Sequence, residues 1–109
     1  MDDKIKIMAS ACGYSYEEVV GRSRIVALAL VRQLIWYRMR KSDTQGGSYA
    51  TIGVLFGGRS HSCVLQGINH IKGLLYIGDK YVMEQYEKME IAERMFEKQE
   101  EGKVYSVRG

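Results

Sequence analysis

Apolar residues recur at three- and four-residue intervals along the chain, and no stretch keeps the two-residue alternation of a half-buried strand. Ile5, Met8, Ala9 and Cys12 share one side of a helix over residues 3–12, which Gly13 stops. Ser15 and Glu18 stand at capping-box spacing for a short helix through Val20, closed by Gly21. Ser23 is placed to cap the longest of these early elements, about residues 24–42. There Ala27, Leu28, Val31, Leu34, Ile35 and Met39 form one stripe, while Arg32, Gln33, Trp36 and Arg40 gather on a different face. Ser42-Asp43 ends that helix, and Gly46-Gly47 make a loop.

Ser48 caps a short helix bearing Ala50, Ile52, Leu55 and Phe56, and Gly57-Gly58 is a tight turn. Ser60 then caps a helix through about Ile77, with Val64, Leu65, Ile68, Ile71, Leu74 and Leu75 on the 3.6-residue period and Gly78 as its end. From 79 to about 100 a separate amphipathic helix carries Val82, Tyr86, Met89, Ala92 and Phe96 on one side. Glu84→Lys88 and Glu90→Arg94 support it in the favoured order. The expected fold is therefore all-α: a compact bundle over residues 1–78, an added helix over 79–101 packed on it or used for association, and a frayed tail over 102–109.

Composition narrows the class. A chain of 109 residues holds one small domain, and its 46% hydrophobic and 27% charged residues are ordinary for a globular protein. The absence of proline suits long uninterrupted helices. No apolar run reaches the roughly 18 residues of a membrane span. The acidic start, MDDKIKIMASACG, lacks the basic n-region and apolar core of a signal peptide, and two cysteines make no disulfide framework. A reduced, cytoplasmic location is the expectation. No HxxxH, CxxC, Walker loop or GxGxxG occurs, so neither metal, cofactor nor catalytic centre is expected, and an enzyme is disfavoured. Residues 1–75 carry ten Lys/Arg against five Asp/Glu and the remainder six against eight, a basic body with an acidic end that is compatible with nucleic acid.

A short capped helix, a glycine turn and a longer helix, residues 48–77, is helix-turn-helix grammar, in which the second helix offers its first residues to base edges in the major groove. Those residues are Arg59, Ser60, His61, Ser62 and Cys63. Spacing alone is weak evidence, because many helical hairpins bind nothing. The literal string Ile52-Gly53-Val54-Leu55-Phe56-Gly57-Gly58-Arg59-Ser60-His61-Ser62-Cys63-Val64 resembles the signature IG..FGGRDHTTV of the C-terminal DNA-binding domain of DnaA, the bacterial chromosomal replication initiator. Gly21-Arg22-Ser23-Arg24, followed by Arg32-Gln33, is similar to that family's basic loop and long helix, and the likeness spans roughly residues 5–71.

The resemblance implies a Trp repressor-like helix-turn-helix and a role for each matching position. Arg24 would enter the minor groove of an AT-rich box and Arg22 would meet a neighbouring phosphate. Arg32 and Gln33 would contact the duplex backbone and nearby groove edges, Arg40 would serve as a basic position near the end of the long helix, and His61 and Ser62 would meet bases and phosphate in the major groove. The departures are Ser60 for the motif's aspartate, which removes an acceptor suited to a cytosine amino group, and Cys63 for a threonine. His70 stands where lysine is common and Leu30 where arginine can occur. The initiator's ATPase module has no counterpart in this sequence. The resemblance therefore implies a stand-alone, accessory or regulatory binder of double-stranded DNA in replication initiation or its control, from a bacterium or a phage.

The same residues admit plainer roles. The arginines can form a solvated face, His61 can be an unliganded helix-start residue, and Trp36 can pack in the core, beneath the last helix. The competing function is a DnaA-like interaction or dimerisation module that has left DNA and uses residues 79–101. A contiguous placement of Arg22, Arg24, Arg32, Arg40 and Arg59 beside the start of the 61–77 helix favours DNA; scattering or burial by the last helix favours the alternative.

Overall fold

The computed structural model describes the backbone over residues 2–42 and 48–108 and the side chains over 3–41 and 48–96. Six helices form among the described residues: α1 (Asp2–Ala11), α2 (Tyr16–Val20), α3 (Val26–Ser42), α4 (Tyr49–Leu55), α5 (His61–Tyr76) and α6 (Lys80–Arg108), with no strand. The expected Gly46-Gly47 loop lies outside the described residues.

Local signals set most boundaries. Ser15 and Glu18 close a reciprocal capping box at α2, and Ser48 and Ser60 each accept a backbone N–H three residues on. The end of α5 is a Schellman motif. Gly78 takes a left-handed φ of 75°, its N–H reaches the Leu75 carbonyl, and the Asp79 N–H reaches that of Leu74. Asp79 then caps α6 directly, accepting the Val82 N–H at 3.0 Å. The junction is too short for α6 to trail away, so the chain must fold back on itself.

Two boundaries differ from expectation. The long helix starts at Val26 rather than near residue 24, because Ser23 Oγ takes the Ile25 N–H at 3.3 Å and holds Arg24 and Ile25 outside the helix. The last helix continues to Arg108, past residue 101, where the sequence was expected to give way to a frayed terminus.

Helix α3 packs against every other helix. Its stripe of Leu28, Val31, Leu34, Ile35 and Met39 is buried, joined by Ile5 and Met8 of α1, Val19 of α2, Ile52 and Phe56 of the α4 region and Val64, Ile68 and Ile71 of α5. Part of the second face of α3, Arg32 and Trp36, is buried too. Trp36 is 3% exposed and meets the Phe56 ring edge-on at 5.7 Å. Its cover is α5 rather than α6: a Cβ added at Gly67 would lie 2.5 Å from Trp36 Cζ3, so the absence of a side chain lets the two helices close over the indole.

Helix α6 lies mainly along α1 and touches α3 and α5. Val82 and Met89 reach the common core, and Tyr86, Ala92 and Phe96 are half-buried. Arg38 on α3 pairs with Glu93 on α6 at 2.6 Å. The ring of Tyr86 stacks beneath the Arg38 guanidinium at 4.8 Å, so an ion pair and a cation–π contact hold the same crossing. The apolar stripe of α6 is thus satisfied within one copy of the chain. Met89→Ala should lower the unfolding free energy by about 2–5 kcal/mol, since a fully buried side chain is cut back and a cavity remains. Gly67→Ala should cost about 1–3 kcal/mol through overpacking on Trp36. Urea denaturation followed by circular dichroism checks both, and an unchanged midpoint in either variant contradicts the packing described.

Candidate nucleic-acid interface

The turn between α4 and α5 is fixed by close backbone approach. Gly57 and Gly58 hold φ of 79° and 77°, a region where a side chain would strain the chain. The Arg59 N–H returns to the Gly53 carbonyl at 2.9 Å. A Cβ on Gly53 would sit 2.1 Å from the Arg59 carbonyl oxygen, so α4 and the turn touch backbone to backbone there. The helical period alone does not announce this role for Gly53; the Ile-Gly ahead of the Phe-Gly-Gly-Arg string is its only sequence signal.

The start of α5 presents His61 and Ser62 to solvent, with Ser60 as cap and Cys63 half-buried. His61 is not alone. Its ring lies edge-on to Tyr49 at 5.1 Å, and Arg40 stacks on the other part of that pair, 4.7 Å from the Tyr49 ring. Arg40, Tyr49 and His61 therefore run from the end of α3 across α4 to the first residue of α5. Tyr49 was not among the candidate residues, because nothing in its spacing separates it from a core aromatic.

The loop between α2 and α3 is fastened to the turn by arginine–carbonyl bonds running both ways. Arg22 Nη2 donates to the Gly57 carbonyl at 2.9 Å, and Arg59 Nη2 donates to the Gly21 carbonyl. Arg32 completes the fastening from beneath, with Nε donating to Val19 O at 2.7 Å and Nη1 to Ser23 O at 3.3 Å. Arg24 projects from this pinned loop and is exposed.

The candidate residues divide accordingly. Arg22, Arg24, Arg40, Ser60, His61 and Ser62 are exposed, while Gln33, Arg59 and Cys63 are half-buried. Gln33 Oε1 is paired with His70 Nδ1 at 2.8 Å, which links α3 to α5. Arg32 departs from expectation. It is only 5% exposed, because the α2–α3 loop passes over it and its guanidinium bonds the carbonyls of Val19, near the end of α2, and Ser23, in the loop, rather than facing solvent. Burial, reinforced by the neighbouring Arg59 charge, pulls its pKa below the ordinary arginine value.

Three buried donor atoms have no partner among the described residues: Arg32 Nη2, Trp36 Nε1 and Arg59 Nε. All three residues line one cleft of about 250 Å³ between α3 and α5, with Gln33, Cys63 and Gln66. Arg32 and Arg59 also line a neighbouring cleft with Arg22, Ser23 and Arg24. Two of the three belong to guanidinium groups, so the lining of the cleft carries positive charge and favours an anion. Among the described residues no cluster of three or more His, Cys, Asp or Glu is placed to hold a metal, and no helix is long and apolar enough to cross a membrane.

A capped short helix, a two-glycine turn and a second helix with a polar, exposed start make this a helix-turn-helix unit. Residues 1–71 match the family model described as the bacterial dnaA protein helix-turn-helix, and the chain belongs to that family. It is 37% identical over 71 residues to the chromosomal replication initiator protein DnaA of Picosynechococcus sp., a stretch that covers 65% of this chain and 15% of that protein. No solved structure matches the chain. Helix α6 lies beyond the matched residues.

The fastening makes a prediction of its own. Arg59→Met removes the bond to Gly21 and leaves that carbonyl to water. It should cost about 1.5–3 kcal/mol of stability, the usual range for a charged hydrogen bond. Hydrogen exchange at the amides of Arg22 to Ile25 should accelerate more than exchange in α6. Equal exchange rates in the variant and the parent would show that the loop is held by something else.

Proposed function

We propose that this chain binds double-stranded DNA with sequence selectivity, in replication initiation or its control, and that it does so without hydrolysing ATP. One observation carries the reading: the reciprocal Arg22–Gly57 and Arg59–Gly21 bonds tie the cationic loop to the residues just ahead of α5. A basic loop and the exposed start of a recognition helix are thereby presented as one rigid unit. Family membership supports the same reading, as does the relative named as a replication initiator.

In this scheme the start of α5 enters a major groove, where His61 and Ser62 reach base edges and Cys63 offers an apolar contact for a thymine methyl. Ser60 Oγ already accepts the Cys63 N–H at 3.1 Å, so Ser60 reads less than the family's aspartate would. Arg24, projecting from the pinned loop, enters the adjacent minor groove and prefers the narrow groove of an AT-rich box. Arg22 and Arg40 meet phosphates, which position the protein without naming a base. Arg59 and Gln33 border the same surface. Arg32 acts from beneath, by holding the loop.

Competition among duplexes tests the division of labour. Arg24→Ala should shrink the preference for an AT-rich box over a scrambled duplex, whereas Arg40→Ala should weaken both alike. With about four cations near phosphate, the slope of log affinity against log salt should be roughly −3.6. Fluorescence anisotropy titrations read all three quantities. Equal loss of preference in both variants contradicts the assigned roles, and no duplex affinity even at low salt contradicts DNA binding itself.

A further inference from the structure

The two cysteines occupy opposite chemical settings. Cys12, at the end of α1, points its sulfur at the Gln85 carbonyl 3.9 Å away, and burial pushes its pKa up to about 11. Its thiolate is scarce near neutral pH, and thiolate is the reactive form. Cys63 is half-buried, is the third residue of α5, and lines the cleft that holds Arg32, Trp36 and Arg59. The DNA-binding scheme asks of it only an apolar contact. Its side chain shares that cleft with two guanidinium groups.

The cleft supplies a second and separate observation. Arg32, 5% exposed, and Trp36, 3% exposed, each keep an unpaired donor, and Arg59 Nε is a third. These groups call for an acceptor-rich, negatively charged occupant. A nucleophilic sulfur next to such donors suits a small molecule that joins an electrophilic sulfur to carboxylates.

We propose that Cys63 is a site of reversible S-thiolation by low-molecular-weight disulfides that carry carboxylates, of which oxidised glutathione is the representative, and that the mixed disulfide closes the duplex-binding face. The Cys63 thiolate attacks one sulfur of the disulfide. A new S–S bond forms as the reagent's own S–S bond breaks, and two electrons pass to the departing sulfur, which leaves as a thiolate and takes up the proton that Cys63 gave up. Cys63 is oxidised and half of the reagent is reduced, so no further oxidant is needed. The positive charge of Arg32 and Arg59 at the cleft attracts the carboxylates while the sulfurs align. A second thiol reverses the reaction. The added peptide stands at the start of α5 and carries negative charge where the DNA phosphates would lie. The blocking effect rests on the DNA-binding reading; the modification itself does not.

The test treats the reduced full chain with oxidised glutathione or with cystamine, a disulfide that bears amines instead of carboxylates, and follows mass and peptide map. One glutathione should appear on Cys63, with Cys12 at least ~10-fold slower. The preference for glutathione over cystamine should exceed that of the urea-unfolded chain. Cys12→Ser should label like the parent, and Cys63→Ser should take up none in the same time. First labelling on Cys12, or no added preference for the carboxylate reagent in the folded chain, overturns the site. Thiolated protein should then bind duplex at least ~10-fold more weakly, the equivalent of about 1.4 kcal/mol or more, with dithiothreitol restoring affinity. Unchanged affinity of the thiolated chain overturns the block. If untreated protein binds no duplex, the DNA reading fails, while the mass result still decides the modification.

Discussion

The functional surface of this chain depends on a clasp of arginine–carbonyl bonds. A loop between two helices has backbone carbonyls that no helix satisfies, and here those of Gly21 and Ser23 accept from Arg59 and Arg32, Arg32 also bonds Val19 near the end of α2, and Arg22 reaches back to the carbonyl of the glycine turn. Guanidinium groups suit the task because they are permanently charged, planar and able to bond at several nitrogens at once. The clasp does two things together. It orders a segment that would otherwise be an exposed loop, and it sets the distance between Arg24 and the start of α5. An arginine that reads a groove loses less freedom on binding when the backbone beneath it is already held.

Much of the fold was legible because its signals are local. Serines at the starts of α2, α4 and α5, the Gly57-Gly58 turn and Gly78 are short-range features whose consequences appear within a few residues. The apolar period located the stripe of α3 and of α5 for the same reason. The second face of α3 was only partly legible. A packed Trp36 was expected, but its cover by α5 and the burial of Arg32 beneath the α2–α3 loop come from distant parts of the chain. Periodicity records one buried face and has no way to record a second one made by a missing side chain at Gly67.

The candidate site shows the same split. His61, Ser62, Arg22 and Arg24 are found exposed at the turn and loop that their motif suggested, while Arg32 serves the loop from inside. Tyr49 joins Arg40 to His61 across three helices, a relation that exists only in the folded chain. Helix α6 stands apart from both. It closes the side of the bundle formed by α1, carries the more acidic part of the chain, and leaves the start of α5 open. Val82 and Met89 of its stripe are buried within a single copy, so their packing calls for no second molecule, while Tyr86, Ala92 and Phe96 are half-buried.

The claim at the centre of this account is that the pinned loop and the start of α5 form one duplex-binding face, with α6 behind it. Titration of the isotopically labelled chain with an AT-rich duplex, followed amide by amide in proton–nitrogen correlation spectra, tests it most directly. The largest shifts should fall on residues 22–25 and 59–63, with smaller changes at Arg40 and Tyr49 and none along the described part of α6 from Lys80 to Phe96. Shifts concentrated on α6 and the outer side of α1, with 22–25 and 59–63 unmoved, would contradict it.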